Sequence, residues 1–285
     1  PRGARATNRN GANPPHFPRP GAPDMLTIDL TLLERVADIA KRAGARILTV
    51  YETNFDVETK GDNSPVTQAD RLAEDLITQA IQSEISTDIP IVGEEAAEAE
   101  GLMQPTGSVF WLVDPLDGTK EFIKRNGEFT VNIALIENGR PVLGVVHLPV
   151  LDETFVAGAP GAFKQTGDGP LIPIASREAP AEGLTAVVSR SHGAEEADAF
   201  LERYTVAHRI GAGSSLKFCR VAEGAADIYP RFGRTMEWDT AAGHAVLRFA
   251  GGDVLTMDGA PLTYGKQGLD NPHFIAVGKG IGLDG

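Results

Sequence analysis

The run from Val109 to Val113 is wholly apolar and reads as a buried strand, and the residues that follow it constrain the chain more than any others. The strand is expected to end on Asp114, because Pro115 can neither continue a helix nor donate to a further rung of a sheet. Asp117 comes next, and Gly118-Thr119 opens a helix or a tight turn. Two carboxylates three residues apart at the mouth of a strand would point at one small volume. Anions that close are stable mainly when a cation sits between them or one takes a proton. Oxygen ligands without a nearby His or Cys favour a hard ion such as magnesium over zinc. The backbone N–H groups from Gly118 onward offer an anion site beside it. A metal and an anion held together point to phosphoryl chemistry.

The 285 residues suit one large or two medium domains, and a net charge of −13 argues against sequence-independent binding to a nucleic acid polymer. An anionic substrate would need local positive charge, from metals and a few well-placed Lys and Arg. Cys219 is the only cysteine, so neither an intrachain disulfide nor a cysteine metal site is available. No apolar run reaches the about 18 residues that a membrane helix needs. Residues 1–24 are rich in Pro, Gly, Arg and Asn without apolar periodicity, and are expected to be a disordered extension with no function of their own.

From Met25 the pattern becomes regular. Leu32, Leu33, Val36, Ile39, Ala40, Ala43, Ile47 and Leu48 recur at helical spacing, predicting a helix over about 29–52. Thr67 to Asp70 has capping-box spacing, and Leu72, Ala73, Leu76, Ile77, Ala80 and Ile81 continue a second helix. Ile89 to Val92 is a short strand ending at Gly93-Glu94-Glu95, and 96–108 reads as a flexible loop. Phe129 to Ile136 and Val142 to Leu148 are strands joined by a hairpin turn at Glu137-Asn-Gly-Arg140. Thr154 to Ala157 and Gly161 to Lys164 add two more. The first half is therefore two long helices on an antiparallel sheet, an α+β domain over 25–165. The second, over 166–285, alternates strands near 185–189, 205–210 and 228–232 with helices near 195–204, 216–225 and 240–250, as an α/β layer does.

Glu94, Asp114, Asp117 and Asp239, with Asp70 nearby, form the candidate acid set. Each has an ordinary explanation: a first-turn acid for Asp70, a solvated loop acid for Glu94, a turn former for Asp114, a helix N-cap for Asp239. Spacing alone favours the ordinary explanation for Asp70. The weight comes from coincidence, since several acids sit at strand ends or helix starts, where α/β sites collect. Gly211-Ala-Gly213-Ser-Ser lacks the third glycine of a dinucleotide loop, and Ser214 and Ser215 are equally natural helix caps. Cys219 falls on an apolar helix face, as an inert buried thiol would. His192 follows a strand end, and surface polarity explains it equally well.

Longer strings carry a resemblance. Asp114-Pro-Leu-Asp-Gly-Thr119 with Trp238-Asp239 resembles the signature pair of the inositol monophosphatase superfamily, the lithium-sensitive magnesium phosphatases. Asp62-Asn-Ser-Pro-Val-Thr67, the run Asp117 to Asn132, Ser189-Arg-Ser-His192, Gly213 to Cys219 and Tyr229-Pro-Arg-Phe-Gly233 closely resemble the CysQ-type 3'(2'),5'-bisphosphate nucleotidases. The resemblance spans about residues 25–280. It departs in the segment before Met25 and at Arg234-Thr-Met-Glu237, where the family varies.

The resemblance implies a layered αβαβα sandwich. It implies two or three magnesium ions ligated by Glu94, Asp114, the Leu116 carbonyl, Asp117 and Asp239. Gly118 and Thr119 would hold the phosphate, with Glu94, Leu116, Asp117 and Asp239 also bordering the substrate. Asp70, Thr119 and Glu94 would be catalytic, Asp70 taking a proton from the attacking water through Thr119, with no covalent intermediate. Ser214, Lys217, Arg231 and His192 would contact the nucleotide. The implied substrate is adenosine 3',5'-bisphosphate, cleaved to AMP and phosphate, with activity on the sulfated nucleotide of sulfate assimilation. The implied location is cytoplasmic. Some relatives are assigned to the cytoplasmic side of the inner membrane, yet no stretch here looks like an anchor. The rivals are an inositol-phosphate or sugar-bisphosphate phosphatase on the same scaffold, and a non-catalytic nucleotide sensor. The metal ligands cannot separate the first; retention of Asp70 with the full acid set argues against the second.

Overall fold

The computed structural model describes residues 26–53, 65–101, 105, 107–189 and 194–283. The expectations for residues 1–24, for Asp62 to Ser64 and for His192 lie outside the described residues. The first half contains α1 (Leu30–Tyr51), α2 (Pro65–Glu84), β1 (Ile91–Gly93), α3 (Glu94–Glu100), β2 (Val109–Asp117), α4 (Thr119–Ile123), β3 (Thr130–Glu137), β4 (Arg140–Leu148), β5 (Glu153–Gly158), β6 (Gly161–Thr166) and β7 (Ile172–Pro173). The second contains β8 (Leu184–Ser189), α5 (Ala194–Leu201), β9 (Val206–Ala212), α6 (Leu216–Ala222), β10 (Ile228–Arg231), α7 (Glu237–Phe249), β11 (Asp253–Thr256) and β12 (Phe274–Val277).

Strands β1 to β7 form one sheet in chain order, with β1 parallel to β2 and every other neighbour antiparallel. The second sheet runs β11-β12-β10-β8-β9, parallel across β10, β8 and β9 and antiparallel at β12. Alternation along the strands sorts the apolar side chains into three cores. Trp111 and Val113 of β2, with Val131, Ile133 and Leu135 of β3, pack under α1 and α2. Phe110 and Leu112, from the other face, join α6, α7 and the second sheet's Tyr229 and Phe274. Leu184, Ala186, Ile228 and Ile275 face Phe200 and Leu201 of α5. The result is five layers, α1/α2, sheet, α6/α7, sheet, α5, as the sequence led us to expect. Among the described residues no helix is long and apolar enough to cross a membrane.

Four local expectations are corrected. Helix α2 opens at Pro65, not at a capping box beginning at Thr67; proline has no N–H to lose in the first turn, so the helix starts two residues earlier. Residues 94–100 are helical where a loop was expected, because Glu and Ala are strong helix formers and two acids sit in the first turn, where the helix dipole favours them. Strand β2 does not stop at Asp114. It passes through Pro115 and pairs again at Asp117 with Thr130, across a bulge where proline's missing donor costs no rung. Asp239 sits inside the first turn of α7, which begins at Glu237, and so is not the N-cap. Strands β11 and β12, beyond Gly251-Gly252, were not anticipated.

The first sheet and α7 approach closely. A Cβ on Gly144 of β4 would lie 2.6 Å from the Ala242 carbonyl oxygen and 2.6 Å from the Ala245 Cβ. Gly144→Val should therefore destabilise the fold by about 1–3 kcal/mol through overpacking, read as a lower urea midpoint at unchanged slope. An unchanged midpoint would mean that this approach is looser than the geometry indicates.

Candidate metal-and-phosphate site

The bulge in β2 orients the site. In a regular strand, residues three apart face opposite sides of the sheet. Here Asp114 shares the side of Phe110 and Leu112, and the extra residue returns Leu116 to the core of Trp111 and Val113. Asp117 is thereby turned to the same side as Asp114, toward α6 and α7. Strand β1 runs parallel beside β2 with Gly93 opposite Val113, so Glu94 emerges next to Asp114. The N-terminal end of α7 supplies Asp239, and α2 supplies Asp70, which is buried.

Burial and mutual repulsion govern the electrostatics. Asp114 is 1 % exposed, and its carboxyl is held well above the usual range, first by desolvation and then by the charges of Glu94, Asp117, Asp239 and Asp70. Its Oδ1 accepts the Leu116 N–H at 3.1 Å. Asp239 is pushed up to about 7 by burial and by Asp117, against the pull of the Met236 N–H, Arg231 and Lys217. That N–H donates to the carboxylate at 2.9 Å. Burial also raises Asp117, opposed by Lys217 and by hydrogen bonding from Ser215. Among the described residues no three carboxylate, imidazole or thiol side chains close on one point as a ready-made metal cage. The acids are gathered within electrostatic reach of one another. An all-oxygen set of buried acids, unstable as anions on their own, fits a hard divalent cation.

Two of the acids, Asp117 and Asp239, line a cavity of about 210 Å³ with Gly118, Thr119, Ser214, Lys217 and Arg231, together with Glu121, Tyr229, Phe218, Phe274, Thr235 and Thr240. Asp70, Glu94, Asp114 and Leu116 are not in its lining, although the first two act electrostatically on Asp114. Leu116 places its side chain in the outer core. Gly118 and Ser214 bring the two halves of the chain together. Gly118 has φ +101°, and a Cβ there would sit 2.0 Å from the Ser214 Oγ. Ser214, at φ +48°, donates that hydroxyl to the Asp117 carbonyl at 2.9 Å. No other residue than glycine leaves room at 118.

The same cavity also carries cations, Lys217 and Arg231. Lys217 is buried and lowered to about 8 by desolvation, with Asp117 pulling it up and Arg231 pushing it further down. Its Nζ lies 5.5 Å from the centre of the Tyr229 ring, which stands edge-on to Phe218 and Phe274. Two links escaped the sequence reading. Asn132 donates to the Ser215 Oγ at 3.0 Å, and Ser215 donates to the Asp239 carbonyl at 2.8 Å, tying the first sheet to α7. Asn132 stands opposite Asp114 in the β2–β3 register, a position that only strand pairing reveals. Glu121 and Glu128 face Lys217 from α4 and the loop after it, the latter also accepting the Gly213 N–H at 2.8 Å.

The chain is similar to known proteins in sequence and in fold. The model of the inositol monophosphatase family matches residues 29–276. The chain is 45 % identical over 247 residues to the 3'(2'),5'-bisphosphate nucleotidase CysQ of Shigella flexneri, covering 85 % of this chain and 98 % of the relative. It is 35 % identical to the protein of the same name from Haemophilus influenzae, over 89 % of this chain and 95 % of that one. Among solved structures, CysQ from Bacteroides thetaiotaomicron is similar with a TM-score of 0.75 and 40 % identity, covering 88 % of this chain and 98 % of that chain. An inositol monophosphatase from Anabaena is similar with a TM-score of 0.70 and 26 % identity, over 89 % and 92 %. The match over nearly all the described residues establishes that the chain belongs to the inositol monophosphatase family.

Proposed function

We propose that this chain is a magnesium-dependent 3'(2'),5'-bisphosphate nucleotidase that hydrolyses adenosine 3',5'-bisphosphate to AMP and phosphate. The observation that carries the reading is the make-up of one cavity: Asp117 and Asp239, both raised by burial, share its lining with Lys217, Arg231 and the rings of Phe218, Tyr229 and Phe274. A ligand with two phosphates and a base matches that set of groups. High identity to the CysQ nucleotidases supports the same choice.

In this reading Glu94, Asp114, the Leu116 carbonyl, Asp117 and Asp239 hold the metal. Magnesium bound there would neutralise charge on the transferring phosphoryl group and acidify a bound water. The chain's own groups do the rest. The N–H groups of Gly118 and Thr119 hold the phosphate that is to be cleaved. The Thr119 hydroxyl orients the water and passes its proton to the Asp70 carboxylate. Lys217 and Arg231 hold the second phosphate, Ser214 fixes the wall between the two ends, and His192 joins the nucleotide contacts. A lowered Lys217 recovers its full charge when a phosphate arrives beside it. Lithium sensitivity, activity on the sulfated nucleotide, a place in sulfate assimilation and a cytoplasmic location extend the reading on the strength of the resemblance.

Two experiments test it. The first is phosphate release from adenosine 3',5'-bisphosphate with and without magnesium and lithium. Release should need magnesium, fall with lithium and vanish in Asp117→Asn, while Lys217→Ala and Arg231→Ala raise KM more than they lower kcat. Comparable kcat/KM on inositol 1-phosphate would refute the nucleotide assignment, and unchanged turnover in Asp117→Asn the metal assignment.

The second is the pH dependence of melting in the metal-free protein. Asp239 has an ordinary value of 3.8 and a folded value of about 7, so between the two the folded protein binds more protons than the unfolded chain. Stability must then fall as pH rises through that window and return on acidification. Tm should drop from pH 5 to pH 8, less steeply in Asp239→Asn, and magnesium should restore it at pH 8. Identical slopes in parent and variant would contradict this electrostatic account.

A further inference from the structure

Glu94 opens a seven-residue helix directly after a three-residue edge strand, which is little structure to fix a ligand. What holds it comes from another element. Glu74 of α2 is buried, and its two carboxylate oxygens accept the backbone N–H groups of Glu95 and Ala96, each at 2.9 Å. A carboxylate with both oxygens engaged by N–H groups forms strong, directional bonds. Gly93, on the other side of Glu94, is shaped to the same group: a Cβ there would lie 2.4 Å from the Glu74 carboxyl carbon and 2.4 Å from its Oε2. The peptide units before and after Glu94 are thus packed on or bonded to one side chain. An outer tie runs alongside, from the Arg71 Nε to the Glu95 Oε2 at 3.4 Å. Glu74 lies four residues, about one helical turn, after Asp70, so one face of α2 carries both the proposed base and this clamp.

We propose that Glu74 is a positioning residue for the metal site: by clamping the backbone at Glu95 and Ala96 it sets Glu94 against Asp114 and fixes its distance from Asp70. It touches neither substrate nor metal. The inference rests on the assignment of Glu94 as a metal ligand. A side chain that orients a ligand in this way commonly changes metal affinity by about 10–100-fold when removed. A role in stability alone would lower Tm and leave the affinity of the folded protein unaltered.

The test is calorimetric titration of magnesium chloride into the metal-free full chain, beside a thermal melt, for the parent, Glu74→Gln, Glu74→Ala and Gly93→Ala. Glu74→Gln keeps one acceptor and should weaken magnesium binding less than Glu74→Ala, which should weaken it by about 10–100-fold. Gly93→Ala, which displaces the carboxylate without altering it, should weaken binding in the same sense. Parent-like affinity in the folded variants overturns the inference while leaving the metal site intact. Loss of folding in every variant, with parent-like binding by whatever remains folded, overturns it too. A parent that binds no magnesium removes the metal reading and this inference together.

Discussion

The structure turns on one unfavourable arrangement. Acids from four separate segments, α2, the β1–α3 junction, β2 and α7, lie within reach of one another's charge, with Asp70 and Asp114 buried and Glu94 half-buried. Nothing in the packing of a five-layered fold requires it; an apolar or singly charged set would cost less. The molecule bears it because other parts are rigid. Asp114 and Asp117 ride on a strand paired on both sides, Asp239 sits where α7 lies against both sheets, and Asp70 is carried on the long helix α2. In the proposed reading, the interaction that relieves this repulsion is with a divalent cation.

The two halves of the cavity do different work. In the proposed reading the first half of the chain brings Glu94, Asp114, Asp117 and the backbone turn at Gly118, which, with Asp239 of α7, answer to the phosphoryl group under attack. The second brings Ser214, Lys217, Arg231 and the aromatic wall, which answer to the rest of the substrate. They meet where Ser214 bonds the Asp117 carbonyl and where Asn132, through Ser215, reaches the Asp239 carbonyl. These neutral bonds cross between the halves without adding charge to a site already loaded with it.

Much of this was legible in the chain. Helical spacing predicts α1 almost to the residue, with Asp29 capping it by accepting the Leu32 N–H at 2.9 Å. The Asn138-Gly139 turn is readable because both residues take positive φ in a tight hairpin. The acids were identifiable from their placement at strand and helix ends. What escaped shares a cause: it depends on contacts distant in sequence. The bulge that aligns Asp114 with Asp117 is set by pairing with β3, and Pro115 read locally predicts the opposite, an ended strand. Helix α3 is only seven residues long and draws on Glu74, twenty-one residues before Glu95, for its first N–H bonds. Glu74 itself carries no local signal, since an acid within a helix is ordinarily solvated. Strands β11 and β12 are four residues each, too short for periodicity to speak.

The central claim is that the protons raised on these buried acids hold a place that a divalent cation takes. Titrating magnesium into the metal-free protein at pH 6.5, in two buffers of different ionisation enthalpy, counts the protons displaced per ion bound. The account predicts a net release of protons at pH 6.5 that shrinks by pH 8.5, as Asp239 loses its proton beforehand. Magnesium binding with no proton release at pH 6.5, or no binding at all, would contradict it.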